Sequence, residues 1–195
     1  ALVTLVAYPV AYTITTRSPT LRPILLLLVV APSWSNQVIR AMGWMNLLAP
    51  GTPLSTLAAK LGLIAPELAV YIGIVYAYLP FMVLPLYVSF ERLDHAQVEA
   101  AWDLHAGPVR AFWHAVLPQT LPGLLAGVML VGIPAFGMYV VPELLGGGKA
   151  FMLGNLIARQ FQDASNWPYG AAASIVMIAV TLLGLVVLRR LSRRA

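Results

Sequence analysis

The amino-acid sequence predicts an all-α, polytopic membrane protein with five transmembrane helices. Three observations carry that prediction. Only 10% of the 195 residues are charged and 60% are hydrophobic, whereas a soluble domain carries about 25% charged residues. Five stretches free of charged side chains reach or approach the ~20 apolar residues needed to cross a bilayer core. The charges sit in short clusters at the ends of those stretches, as orientation signals do. That placement argues against nucleic acid as the counterpart of the net charge of +5. Cysteine is absent, which excludes a disulfide framework, a thiolate metal site and a cysteine nucleophile.

Taken in order, the predicted spans cover residues 1–16, 23–39, 68–90, 115–142 and 164–188. The first opens within an apolar run with no basic leader, so it reads as a clipped span of a chain whose N-terminal part is missing. Residues 1–195 then form one N-terminally truncated membrane domain. Between the second and third spans, "LLAPGTPLSTLAAKLGLIAPE" is broken by Pro and Gly and reads as a loop holding a short interfacial helix. Between the fourth and fifth, "ELLGGGKAFMLGNLIARQFQDASNW" is a second excursion, with a helix expected over residues 151–162. Its "GGGKA" is not a phosphate loop: no strand precedes it and no Ser or Thr follows Lys149.

Orientation follows from the basic residues near span ends. Alternating spans place Arg17, Arg22, Arg92, Arg110, Arg189, Arg190, Arg193 and Arg194 on one side and Arg40, Lys60, Lys149 and Arg159 on the other. The richer side is cytoplasmic, and residues 91–118 fall on it. Prolines interrupt the spans at Pro9, Pro32, Pro80, Pro85 and Pro134. Each removes a backbone donor, and either shapes its helix statically or marks a hinge along a pathway. Tyr71, Tyr76, Tyr78 and Tyr87 enrich the third span. Tyr71 and Tyr78 are seven apart and share a helix face, so they form an interfacial belt or contact a cation through their rings. Tyr71, Tyr78, Pro80 and Pro134 are the candidate pathway residues.

The segment "LDHAQVEAAWDLHAGPVRAFWHAVLP" concentrates all three histidines and several charges. Asp94 is an expected N-cap, with Gln97 completing a capping box. A helix is predicted from about His95 to His105, a turn at Gly107, and a second helix starting at Pro108. On that second helix Val109, Phe112, Trp113, Val116 and Leu117 make one apolar stripe, and Pro118 is expected to end it. The result is a helix–turn–helix bracket. Its first helix pairs the carboxylates of Glu99 and Asp103 with the small Ala100 and Ala101, either a docking knob or a solvated helix lying on the membrane.

"EAAWDLHAGPVRAFWHAVLP" resembles the signature loop of binding-protein-dependent, type I ABC importer permeases. That pattern runs Glu-Ala-Ala, three residues, Gly, nine residues, an aliphatic, one residue, Leu-Pro. Glu99, Ala100, Ala101, Leu117 and Pro118 match it, while His105 stands at the family glycine and Ala115 at the aliphatic position. "LPFMVLPLYVSFERLD", "GIPAFGMYVVPELLGGGK" and "NWPYGAAASI" are similar to the spermidine/putrescine permease branch. The resemblance implies a six-span fold in the bacterial inner membrane, of which five spans are visible here. It implies a transport subunit rather than an enzyme, with no cofactor and with ATP hydrolysed on separate ATPase subunits. A second permease subunit, a periplasmic substrate-binding protein and membrane lipid are the other implied partners. Glu99, Ala100, Ala101, Asp103, His105, Gly107, Leu117 and Pro118 become the expected ATPase-coupling residues. With glycine gone from position 105, the helix is expected to run on and turn at Gly107.

Two rival classes remain. An ion-coupled carrier places ionisable groups inside its spans, but all seven acids lie at span ends or in loops. A membrane-embedded enzyme finds no Ser-His-Asp arrangement, and the spacing of His95, His105 and His114 suits solvated loop residues better than metal ligands. A permease for another small solute is the third alternative.

Overall fold

A computed structural model describes residues 1–49, 51–60, 66–146 and 152–192. These form eleven α-helices, and no strand occurs among the described residues. In chain order the helices are α1 Leu2–Thr15, α2 Leu21–Val30, α3 Gln37–Leu47, α4 Pro53–Lys60, α5 Pro66–Glu91 and α6 His95–Asp103. They continue as α7 Pro108–Ala111, α8 Leu117–Phe136, α9 Val140–Leu145, α10 Leu153–Gln162 and α11 Trp167–Ser192. The glycines and Lys149 of residues 147–150, residue 151, and the terminal Arg193 and Arg194 lie outside the described residues.

Helix α5 is the central post, packed along α1 on one side and α8 on the other. Val3, Ala7, Ala11 and Ile14 recur on one face of α1, and that face is buried. Met82, Val83 and Leu86 of α5 are almost wholly enclosed. Where α8 crosses α5, a Cβ at Gly123 would stand 2.4 Å from the Pro85 carbonyl oxygen and 2.1 Å from the Ser89 hydroxyl. Glycine is therefore what lets the two backbones meet, the usual route to close helix contact in lipid.

Among the described residues, three helices are long and apolar enough to cross a membrane, Ala69–Glu91, Pro108–Phe136 and Trp167–Val187, or four if the bent pair Leu21–Trp34 and Gln37–Leu47 makes one span, against the five predicted. The predicted span 23–39 is different. Helix α2 continues through a 3₁₀ turn at Ala31–Trp34, then the chain bends by 97° into α3. Ser35 is extended, with φ −83° and ψ 154°, and Asn36 caps α3 by accepting the Val38 N–H at 2.8 Å. An uncharged Asn thus ends one helix and starts another, invisible to a search for charges. Arg40 then reaches back to donate to the Pro32 carbonyl at 2.7 Å.

The predicted span 115–142 also shifts. It begins earlier, because α7, a π-helical turn at Phe112–Val116 and α8 form one continuous helix from Pro108 to Phe136. Helix α8 ends at Gly137, and α9 then starts at Val140. The expected helix over residues 151–162 appears as Leu153–Gln162, and the interfacial helix as Pro53–Lys60.

Candidate functional site

The bracket at residues 91–118 begins as its residues dictate. Asp94 Oδ1 accepts the Ala96 N–H at 3.0 Å, and Gln97 Nε2 donates to Asp94 Oδ2 at 3.3 Å. The second half of a capping box is absent. The Asp94 N–H is instead taken by Gln119 Oε1 at 2.8 Å, from α8. One hydrogen bond therefore ties the first turn of α6 to the base of a membrane helix.

The turn corrects the expectation placed on Gly107. Helix α6 ends at Asp103, and His105 sits in the left-handed region with φ 59°. The His105 N–H donates to the Trp102 carbonyl at 2.8 Å and the Ala106 N–H to the Ala101 carbonyl at 3.0 Å. These two bonds are a Schellman motif, which closes the helix end more tightly than a continued helix would. Two satisfied carbonyls outweigh the strain of order 1 kcal/mol that a non-glycine residue bears there. Gly107 is extended, with φ −63° and ψ 164°, the conformation favoured before proline.

Pro118 does not end the second helix. The wider π turn just before it carries the chain into α8, as such bulges do in helices that must accommodate a local fault. The expected stripe is also redistributed. Ala111 and Ala115 are buried, whereas Val109 and Trp113 are exposed at 68% and 59%. Leu117 is half-buried and Pro118 exposed.

Glu99, Ala100 and Asp103 are exposed, and Ala101 is half-buried. Trp102 and Leu104 are exposed at 58% and 82%, so the outer surface of the bracket carries apolar side chains beside the carboxylates. Behind it, between α6, α7 and the ends of α1 and α5, lies a cavity of about 780 Å³. Its walls include Tyr8, Phe90, Val98, Trp102 and Phe112, and its rim includes Arg22 and Glu91. Tyr8 meets Phe90 and Phe112 edge-on at 5.1 and 5.6 Å, and its hydroxyl hydrogen-bonds Thr120 at 2.8 Å. Glu91 accepts from Tyr87 and faces Arg22 at 3.8 Å.

The candidate pathway residues are not gathered together. Tyr71 is 48% exposed, while Tyr78 is buried against Phe81. A shared helical face does not give shared surroundings: Val70 and Gly73 beside Tyr71 are buried, and Tyr71 itself is left uncovered. Pro80 and Pro134 lie inside α5 and α8. No cluster of three or more potential metal ligands occurs among the described residues. His95 and His105 are exposed, and His114 pairs with the Arg110 carbonyl at 3.0 Å.

Sequence reasoning missed a second polar constellation at the opposite end of the molecule. Helix α9 packs on α3 and the early turns of α5, where Val141 meets Gly73. There Asn155, buried at 1% exposure, donates to Glu143 Oε2 at 2.7 Å and to the Tyr139 carbonyl at 3.3 Å. Arg159 faces the same carboxylate at 3.7 Å. The available signal was Asn155 and Arg159 four residues apart on an amphipathic helix. Their partner on α9 is set by tertiary packing.

The family profile described as "Binding-protein-dependent transport system inner membrane component" matches residues 3–195. The chain is 43% identical over 186 residues to the spermidine/putrescine transport system permease protein PotB of Haemophilus influenzae, covering 92% of this chain and 65% of that protein. It is 41% identical over 193 residues to PotB of Escherichia coli, covering 95% and 70%. The inner membrane ABC transporter permease protein YdcU of Escherichia coli is 30% identical over 206 residues, covering 96% and 66%. The chain thus spans about two thirds of the length of these relatives.

Proposed function

The chain belongs to the family of binding-protein-dependent transport system inner membrane components, and from that premise we propose that it is a permease subunit of an ATP-driven polyamine importer. Its substrate is of the spermidine or putrescine type, the class for which its PotB relatives are named. The observation that carries the coupling role is the bracket itself. It presents exposed carboxylates and apolar side chains on a short helix that is tied to α8 by Gln119 and leads through one turn into the continuous helix Pro108–Phe136.

That construction suits force transmission. An ATPase subunit that grips α6 moves α7 and α8 with it, because no flexible connector intervenes beyond the turn at His105 and Gly107. Rigid-body movement between two states is the usual form of such switching. Glu99 and Asp103 set the register of the grip, and Ala100 and Ala101 let the partner backbone approach. Trp102 and Leu104 supply the apolar area to bury. A second permease subunit lies against the bare flank of the molecule, and a periplasmic binding protein delivers substrate to the side opposite the bracket.

Glu99→Lys tests the reading. A reversed charge in a tight dock weakens association by several kcal/mol. The expected result is normal membrane insertion, loss of co-purification with the ATPase subunit, and loss of polyamine uptake. Normal uptake with the ATPase still bound would remove the docking role from this face. Orientation is tested with single cysteines at Ser192 and Asp163 and an impermeant thiol reagent on intact cells. Labelling at Asp163 alone is expected, and labelling of the tail instead would invert the topology.

A further inference from the structure

The geometry points to the cavity behind the bracket as a phospholipid site: an acyl chain lies along α1, and a zwitterionic, ethanolamine-type headgroup sits across Arg22 and Glu91. The inference needs only the membrane family and is independent of which solute is carried.

Place and shape come first. The cavity holds about 780 Å³, within the range of sites for small organic ligands. It touches Glu91, where one span ends, and Pro108, where the next begins, so it lies at a membrane surface. Its wall along α1 and the residue capping it is Tyr8, Pro9, Tyr12, Thr15 and Thr16. That i, i+1, i+4, i+7, i+8 spacing is one face of a helix, about 12 Å long at about 1.5 Å per residue. Pro9 and Tyr12 are exposed, which opens this wall to the surroundings.

The cavity is charged at one end only. At the Tyr8 end, Phe90 and Phe112 stand edge-on to the ring at 5.1 and 5.6 Å. At the other end, Thr15 and Thr16 lead to Arg22, whose Nε donates to the Arg17 carbonyl at 2.9 Å, and to Glu91. The side chains of Arg22 and Glu91 are 33% and 41% exposed. An amphiphile with one polar end fits this gradient. A polyamine carries charge along its whole length and would press ammonium groups against the aromatic end, where nothing pairs them.

The headgroup follows from the rim, which holds one cation and one anion. At 3.8 Å, Arg22 and Glu91 are too far apart for a hydrogen bond, and the Tyr87 hydroxyl engages only Oε1 of the carboxylate. A phosphate matches the planar fork of arginine, and a primary ammonium brings three donors to a carboxylate. Phosphoethanolamine carries both groups. A phosphoglycerol headgroup answers only Arg22, and a choline headgroup has no N–H to donate to Glu91. A lipid chain held there fills the space between α1, α5 and the bracket, and so braces α6 and α7 against the spans.

The test uses the assembled transporter with its full-length permease chain, in detergent, offered phosphatidylethanolamine, phosphatidylglycerol or phosphatidylcholine. Bound lipid is counted by native mass spectrometry. The parent should retain phosphatidylethanolamine about fivefold better than phosphatidylglycerol, the upper scale of one exposed ion pair. Glu91→Gln should abolish that preference, since both lipids then offer only a phosphate. Arg22→Gln should lower retention of all three, because the phosphate then faces a lone carboxylate. An ion pair that only braces the fold predicts that the two variants behave alike, and that result overturns the site. In the parent, phosphatidylethanolamine with a diazirine in its acyl chain should label the peptides carrying Tyr12 and Phe112. Equal retention of all three lipids, or labelling that misses these peptides, also overturns the site. Labelling prevented by excess spermidine overturns it in favour of a soluble polyamine.

Discussion

Helices α5 and α11 are both 26 residues long and both strongly apolar, yet they live in different surroundings. Half of the apolar window of α5 is buried within the molecule, against 6% for α11. Their mean hydropathies, 1.9 and 2.4, rank them the wrong way round for burial. Apolarity in a membrane helix therefore reports the solvent, which is lipid, and not the neighbour. What distinguishes α5 is that small residues on α1 and α8 admit it: Ala7 and Ala11 on one side, Gly123 and Gly127 on the other. Side chains of α11 such as Ile175, Leu183 and Val187 are largely exposed, at 68%, 65% and 55%. That flank is open to lipid.

The largest test of this contrast is a pair of equal substitutions. Gly123→Leu drives a side chain into the backbone of α5 at Pro85. Backbone cannot step aside as a flexible side chain can, so the cost should be about 3 kcal/mol. Gly184→Leu, inside α11, meets nothing within 4 Å and removes a helical glycine, so it should leave stability unchanged or raise it by up to about 1 kcal/mol. Thermal melting of both variants in one detergent checks the difference. Similar losses would mean that α11 is as closely packed as α5.

How much of this was legible beforehand depends on whether a signal was local. The apolar spans announced themselves, because a missing charge is a property of the residue. The cap at Asp94 and the helix start at Pro108 were legible for the same reason. The break at Ser35 and Asn36 was not, since both are uncharged and the run around them is apolar. Gln119, which takes the Asp94 N–H, lies 25 residues away, so no capping motif contains it. The Glu143 and Asn155 pair is likewise a product of how α9 and α10 meet. Family resemblance located the bracket. It carried no information on which of its side chains would be exposed.

A middle-sized effect sharpens the packed side of the comparison. Tyr8 on α1 links the core to the bracket through the Thr120 hydroxyl, at 2.8 Å, and through edge contacts with Phe90 and Phe112. Tyr8→Phe keeps the ring contacts and removes the hydroxyl. Thr120 retains acceptors in the Val116 and Leu117 carbonyls at 3.1 and 3.2 Å, so no donor is orphaned. The expected loss is about 1 kcal/mol, the net value of one hydrogen bond. A melting temperature unchanged from the parent would show that the aromatic contacts alone hold α1 against α5 and the π turn.

The smallest effect is at the turn of the bracket, where two opposing terms nearly cancel. His105 adopts φ 59°, which costs a side-chain-bearing residue about 1 kcal/mol, and glycine would remove that cost. Glycine also has more freedom to lose on folding, a penalty of about 0.5–1 kcal/mol. His105→Gly should therefore stabilise the protein by no more than about 0.5 kcal/mol. Gly107→Val is the matching control. Its φ of −63° and ψ of 164° are open to any residue, and nothing lies within 4 Å of the added Cβ. Valine before proline is also at ease in extended backbone. It should be tolerated, with stability and ATPase association close to those of the parent. The turn at His105 would be disproved by the opposite ranking: a Gly107→Val chain that loses ATPase binding while His105→Gly leaves both stability and binding untouched. In that case the backbone at residue 107 must pass through the left-handed region, α6 must run two residues further, and the Schellman bonds from His105 and Ala106 cannot form.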